Sequence, residues 1–266
     1  MNLQEMIAAE INNGYTEANA EAKVCQDIVL DAIARSSLNR NMTIKGGVVM
    51  RSRTGNIRRA TQDLDIDFIK YSLSDESIDA FISKLNSIDG IHIERNDSIE
   101  ELRQQDYHGK RVYIIISDDE GNQISSKIDL GVHKNLEIEQ EEYGFDIAFD
   151  EQGASLLINS NEQMFAEKLR SLLKFGPAST RYKDISDMYY LIHHISKGWL
   201  KTCMDTYIYN DPRMREHDKE DIVKRLSMTF SDKTYRRALS TSRKKWIDED
   251  IQTIFDGIIK FIEKTI

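Results

Sequence analysis

The sequence predicts an α+β protein: an N-terminal mixed β-sheet with flanking helices, then a C-terminal helical domain. Three observations carry this. Asp63 to Phe68, Lys110 to Ser117 and Gln123 to Gly131 alternate or concentrate β-favouring side chains with the period of a strand, whereas everything after about residue 160 has helical periodicity alone. The chain has only two prolines, Pro177 and Pro212, and no low-complexity tract, so no flexible linker separates independent modules. Charge is divided unevenly: residues 1 to 160 hold sixteen Lys and Arg against twenty-nine Asp and Glu, and residues 161 to 266 hold twenty against sixteen. The expected domains are therefore 1–160 and 161–266.

The elements follow in order. From Tyr15 to about Arg35, Val24, Cys25, Ile28, Val29, Ala32 and Ile33 recur at helical spacing and predict a helix with one core-facing stripe. A short strand, Met42 to Lys45, leads through Gly46 and Gly47 into a second helix that Gly55 ends. In Asp63-Leu64-Asp65-Ile66-Asp67-Phe68 the apolar residues turn to the core and the aspartates to the opposite face. Asp75 to Leu85 reads as a helix. The runs 110–117 and 123–131 form a hairpin about Asp118 to Asn122, with Ser125, Lys127 and Asp129 on one face. Phe145 to Phe149 and Ser155 to Ile158 are further short strands. Helices follow at Asn161 to Lys174, Arg181 to Ile195 and Trp246 to Lys264, with weaker ones between.

Composition narrows the class. With 40% hydrophobic and 30% charged residues, the chain buries a substantial core and is neither disordered nor a membrane bundle. Two cysteines, Cys25 and Cys203, support neither a disulfide framework nor a zinc knuckle. Glu10, Glu17 and Glu21 interrupt the first thirty residues, which do not read as a signal peptide, and no 18-residue apolar stretch follows. The expected location is the cytoplasm, with no membrane partner. A net charge of -9 argues against a general polyanion binder, although Arg51, Arg53, Arg58 and Arg59, and Arg243, Lys244 and Lys245, form local basic clusters.

Asp63 and Asp65 form a D-x-D pair on one strand face, and Asp129 offers a third carboxylate from another strand. Two unit charges ~4 Å apart repel by roughly 4 kcal/mol at an effective dielectric of 20, so a converged trio calls for cations. Hard oxygen donors suit magnesium or manganese, and two such ions hold the attacking and leaving oxygens of a phosphoryl transfer. The other reading is an exposed sheet face solvated by aspartates. Gly46-Gly47 between strand and helix presents backbone N–H groups to an anion such as a triphosphate, or is simply a turn. Lys168 falls inside the apolar arc of Met164, Phe165, Leu169 and Leu172, where a lysine calls for an anionic partner or snorkels to the helix edge. Asp184 and Asp187, about 300° apart on a helical wheel, are neighbours that could position Lys168, Lys127 or a nucleotide, or serve as N-terminal helix charges.

Taken in order, Lys45-Gly46-Gly47-Val48-Val49-Met50-Arg51, Arg59-Ala60-Thr61-Gln62-Asp63-Leu64-Asp65, Lys127-Ile128-Asp129-Leu130, Phe165-Ala166-Glu167-Lys168-Leu169 and Arg181-Tyr182-Lys183-Asp184-Ile185-Ser186-Asp187 resemble the AbiEii/AbiGii toxin family of nucleotidyltransferases. The resemblance spans about residues 40 to 195. It implies the minimal, DNA polymerase beta-like nucleotidyltransferase fold, two magnesium ions, a nucleoside triphosphate substrate and a toxin role with a cognate antitoxin. Related toxins add nucleotides to tRNA acceptor ends. Asp63, Asp65 and Asp129 are then the metal ligands. Lys168 and the Gly46-Gly47 backbone hold the β and γ phosphates, and Arg51, Thr61, Lys127, Asp184 and Asp187 serve the nucleotide. Thr61 stands where the family commonly has serine, and the segment carrying Arg51 to Arg59 is long. An RNA acceptor implies backbone contacts from Arg236, Arg237, Arg243, Lys244 and Lys245, with Tyr189, Tyr190 and Trp199 available to stack bases. A metal-dependent nuclease and a non-catalytic binding protein of the same fold are the alternatives.

Overall fold

In the computed structural model, residues 1–102, 109–241 and 245–266 are described. The chain divides into two compact units, Met1–Asn159 and Ser160–Ile266.

The first unit is built on one seven-stranded mixed sheet. Its helices are α1 (Leu3–Asn12), α2 (Glu17–Arg35), α3 (Gly46–Thr54) and α4 (Asp75–Lys84), and its strands are β1 (Met42–Lys45), β2 (Leu64–Phe68), β3 (Ile91–Leu102), β4 (Gly109–Asp118), β5 (Gln123–Val132), β6 (Glu141–Ile147) and β7 (Asp150–Ile158). The strand order is β3-β4-β5-β2-β1-β7-β6. β1 runs antiparallel to β2 and parallel to β7, while β2 runs parallel to β5. The hairpins β3–β4–β5 and β6–β7 extend the two edges.

Period-2 alternation decides which side chains meet across these strands. On one face Ile44 lies opposite Ile66, which lies opposite Leu130; Leu64 lies opposite Ile128, which lies opposite Val112. All six are buried. This apolar side fixes the register, because a slip of one residue would turn every aspartate of β2 into the core.

α2 departs from the one-sided stripe its spacing suggests. From Val24 to Ile33 every residue is buried, including Gln26, Asp27 and Asp31. α1 packs against it, and β5, β6 and β7 also contact it, so there is no solvent face left for the polar positions. Each has an internal partner, although Asp27 Oδ1 and Asp31 Oδ2 are buried without a hydrogen bond. Lys23 pairs with Glu10 at 3.0 Å and Asp27 at 2.5 Å, and Arg51 donates to Gln26 at 2.6 Å.

The second unit is helical: α5 (Asn161–Phe175), α6 (Tyr182–Leu191), α7 (Lys197–Met204), a π-helical turn at Asp205–Tyr209, α8 (Lys219–Ser231), α9 (Lys233–Thr241) and α10 (Ile251–Thr265). Ser160, Asp218 and Asp250 cap α5, α8 and α10 by accepting backbone N–H groups of the first turn. The core includes Phe165 edge-on to Phe261 and Phe230 stacked on Phe255, with ring centroids 5.5 and 4.0 Å apart. The last helix starts at Ile251, not at Trp246, because the Asp250 carboxylate accepts from Gln252 and Thr253 and so sets its first turn. No helix among the described residues is long and apolar enough to cross a membrane.

Candidate active site

The polar side of the sheet in the first unit carries a charged row. Register places Arg111 on β4 beside Asp129 on β5, Asp129 beside Asp65 on β2, and Asp65 beside Lys45 on β1. The sequence of charges across four strands is therefore plus, minus, minus, plus. Asp63, just before β2, and Asp67 flank Asp65 at the same parity.

Each base is used. Arg111 grips Asp129 with two parallel hydrogen bonds, Nε to Oδ1 at 2.7 Å and an NH2 to Oδ2 at 2.8 Å. Lys127 reaches Asp63 at 2.8 Å, and Lys45 reaches Asp67 at 2.6 Å. Burial pushes the Asp65 carboxyl up to about 6; Lys45 opposes that shift, and Asp129, Asp63 and Asp67 add to it. The centre of the row is thus the place most in need of further positive charge.

Asp63, Asp65 and Asp129 share one face, as the alternation requires, but they do not form a ready ligand set. Among the described residues, no three His, Cys, Asp or Glu side chains are gathered so as to hold a metal ion. Arg111 and Lys127 pair with two of these three carboxylates, Asp129 and Asp63.

The two glycines have separate tasks. Gly46 has φ +70°, and a Cβ there would lie 2.3 Å from Asp65 Oδ2. Only a glycine lets the turn from β1 into α3 run this close to the aspartate. A Cβ on Gly47 would instead meet Thr61, at 2.7 Å from both its Cβ and its Oγ1. Gly47 therefore lets α3 pack on the segment leading into Asp63. The Lys45 side chain does not cap α3, so no capping carboxylate or hydroxyl from that position covers its first N–H groups.

Arg51 and Thr61, expected at the nucleotide, are turned inward. The Arg51 side chain is 8% exposed, bonded to Gln26 and 3.7 Å from Asp27. Thr61 is buried, and its carbonyl accepts from Gln26 Nε2 at 2.9 Å. Gln26 thereby ties α3 to the start of the aspartate strand. The other arginines of this cluster are also committed in part: Arg53 pairs with Glu141 at 2.6 Å and lies over the Tyr143 ring, and Arg59 is buried. Arg58 is exposed.

Within the second unit, Lys168 is clamped by Asp184 and Asp187, each at 2.8 Å. Of the partners the spacing left open for these aspartates, the structure selects Lys168. Arg236 donates to the Phe230 carbonyl and to Gln252 and lies over the Phe255 ring, so it fastens α8, α9 and α10 together and is not a free cation. Arg237 and Lys245 are exposed; Arg243 and Lys244 lie outside the described residues. Tyr189 is packed where a Cβ on Gly257 would meet its ring at 2.8 Å, and Tyr190 stacks on His194. Trp199 is half exposed.

Sequence reasoning did not single out Arg111 or Gln26. Arg111 gave no local signal, since its partner is fixed by register eighteen residues away. Gln26 and Asp27 did carry one: both interrupt the apolar run of α2.

Comparison with known proteins places this arrangement. Among solved structures, a similar chain is an antigenic nucleotidyltransferase-like protein from Paracoccidioides brasiliensis, 15% identical, covering 82% of this chain and 94% of that one with a TM-score of 0.46. Comparison with curated proteins finds no match. The family model described as nucleotidyl transferase AbiEii toxin, type IV toxin–antitoxin system, matches residues 28–257 and so takes in the charged row, the glycine turn and the Lys168 clamp alike. The chain belongs to this AbiEii family of toxins and is a nucleotidyltransferase.

Proposed function

We propose that the protein transfers a nucleoside monophosphate from a nucleoside triphosphate to an RNA acceptor, such as a tRNA 3′ end, with magnesium as cofactor. The observation that carries the reading is the register of Asp65 beside Asp129 on adjacent parallel strands, directly under the Gly46 turn. Carboxylate oxygens from three positions of one face are the donors a hard divalent cation takes. Asp63 and Asp65 would hold two magnesium ions (manganese is the natural substitute) and Asp129 the one nearer the acceptor. When bound, the metal supplies charge neutralisation at the phosphates and lowers the acceptor hydroxyl's pKa.

The chain's own residues do the rest. The acceptor oxygen bonds to the α-phosphorus as the α–β bridging bond breaks, pyrophosphate leaves, and the hydroxyl proton passes to the carboxylate side of the site. Gly46 adds no side chain of its own at the α3 N-terminus, whose amides would face an anionic chain. Gln26 holds the Thr61 carbonyl and so fixes the strand entry from which Asp63 projects. Positioning of this kind is a principal source of rate in phosphoryl transfer. As a toxin of a two-gene system, the protein would act in the cytoplasm, where triphosphates and RNA are present, and be held in check by a cognate antitoxin.

The test is incubation with each α-labelled triphosphate, magnesium and total cellular RNA. Labelled, lengthened RNA with the wild type and none with a folded Asp63→Asn variant is the expected result. Shortened RNA would establish a nuclease instead. Absence of both product and triphosphate binding would leave only a binding role.

A further inference from the structure

We propose that Arg111 is a built-in counter-ion that competes with the divalent cation for Asp129 and so sets the metal affinity of the site. The inference rests on the metal reading above and adds a residue that reading does not use. Asp129 is buried, and Arg111 bonds both of its oxygens at 2.7 and 2.8 Å. Lys127 and Lys45 each approach their aspartates through a single ammonium. A bidentate guanidinium is the stronger and more directional of these contacts.

Geometry also gives Arg111 a way out. Its side chain is 26% exposed, against 10% for Asp129, and it stands on β4, with Glu100 of the edge strand β3 directly opposite it on the side away from Asp129. Leaving Asp129 moves the guanidinium toward solvent, and the carboxylate stays in place. The face holds Asp63, Asp65, Asp67 and Asp129, with Glu100 beyond Arg111, against Lys45, Lys127 and Arg111. Without metal the row is net negative. With divalent ions loaded it becomes positive, and the released guanidinium adds to the charge available for a polyphosphate. Metal and nucleotide loading are thereby linked through one side chain.

The experiment is titration with Mn²⁺ alone, followed by the electron paramagnetic resonance signal of the free ion, for the wild type, Arg111→Gln, Arg111→Lys and Asp129→Asn. If the ion pair leaves Asp129 open about one-tenth of the time, Arg111→Gln binds Mn²⁺ about tenfold more tightly than the wild type. Arg111→Lys, which keeps the charge but not the paired bonds, falls between. Equal or weaker binding by a folded Arg111→Gln overturns the proposal. Should that variant not fold, Arg111→Lys decides on the same criterion. If Asp129→Asn binds Mn²⁺ as the wild type does, the metal reading itself has failed and the proposal with it; if only Asp129→Asn loses binding while the arginine variants match the wild type, the metal site stands and the counter-ion does not.

Discussion

Gly46→Ala separates the two demands made on the β1–α3 turn. At φ +70° an alanine costs about 1 kcal/mol for the left-handed backbone alone. Its Cβ would also stand 2.3 Å from Asp65 Oδ2, a distance no real contact sustains. The obstructing atom is the tip of a side chain and yields by rotation, so the total loss of stability stays at about 1–3 kcal/mol. The larger consequence is for turnover: Asp65 must leave its place beside Asp129, and a misplacement of about 1 Å costs on the order of 10²-fold in rate. Gly55→Ala is the internal control. That residue closes the same helix at φ +60° with nothing within 4 Å of a new Cβ, so it carries the backbone cost without the contact. Urea unfolding and triphosphate incorporation, measured on both variants, should give similar stabilities and turnover that differs by well over about tenfold. Equal turnover in the two would refute the assignment of Gly46 to Asp65.

Four other perturbations follow from the same geometry. Gly47→Ala should cost about 1–3 kcal/mol by overpacking against Thr61, and Thr61→Ala should recover part of it; strict additivity in a double-mutant cycle of urea midpoints would contradict the contact. Gln26→Leu leaves both the Arg51 guanidinium and the Thr61 carbonyl without their amide and should destabilise by about 2–4 kcal/mol; a loss under about 0.5 kcal/mol by denaturant titration would show the bridge to be idle. Lys168→Met strands Asp184 and Asp187 in a largely buried place, for an expected cost of about 3–5 kcal/mol that Lys168→Arg largely spares, read by thermal unfolding. The Asp118 carboxyl is held down to about 2, chiefly by the Leu3 N–H it accepts, then by Asn122 and Glu120. A depressed folded pKa means that this contact contributes fully above about 4 and is lost as pH falls toward 2, so hydrogen exchange at Leu3 should accelerate over that window in the wild type and be fast throughout in Asp118→Ala.

Elements with a strong periodic signature were legible in the chain. β1, α3 with its Gly55 terminus, β2 and α4 lie within a residue of where alternation, glycine and capping put them. β3 was not legible, because only Ile91 and Ile93 are buried and the rest of this twelve-residue edge strand is mostly exposed and polar, with little to distinguish it from a loop. β6 begins at Glu141, four residues ahead of the expected start at Phe145, for the same reason. α1 went unread although Leu3 and Ile7 anchor it, since ten residues give too few turns for a clear stripe. For the site, the shared face of Asp63, Asp65 and Asp129 follows from strand parity alone. What parity could not provide was which strand lies beside which. Arg111 became a partner only once β4 was paired with β5, and Arg51 turned inward only because α2 offers Gln26 and Asp27 at that spot.

The order of charges across β4, β5, β2 and β1 also constrains how the gene can drift. Arg111 and Asp129 are joined by two hydrogen bonds between neighbouring strands, so losing the acid strands a cation, and losing the base strands a buried anion. Substitutions at these two codons should therefore travel as pairs among descendants. A lineage that has abandoned catalysis would reveal itself by discarding both together and filling the gap with a neutral couple.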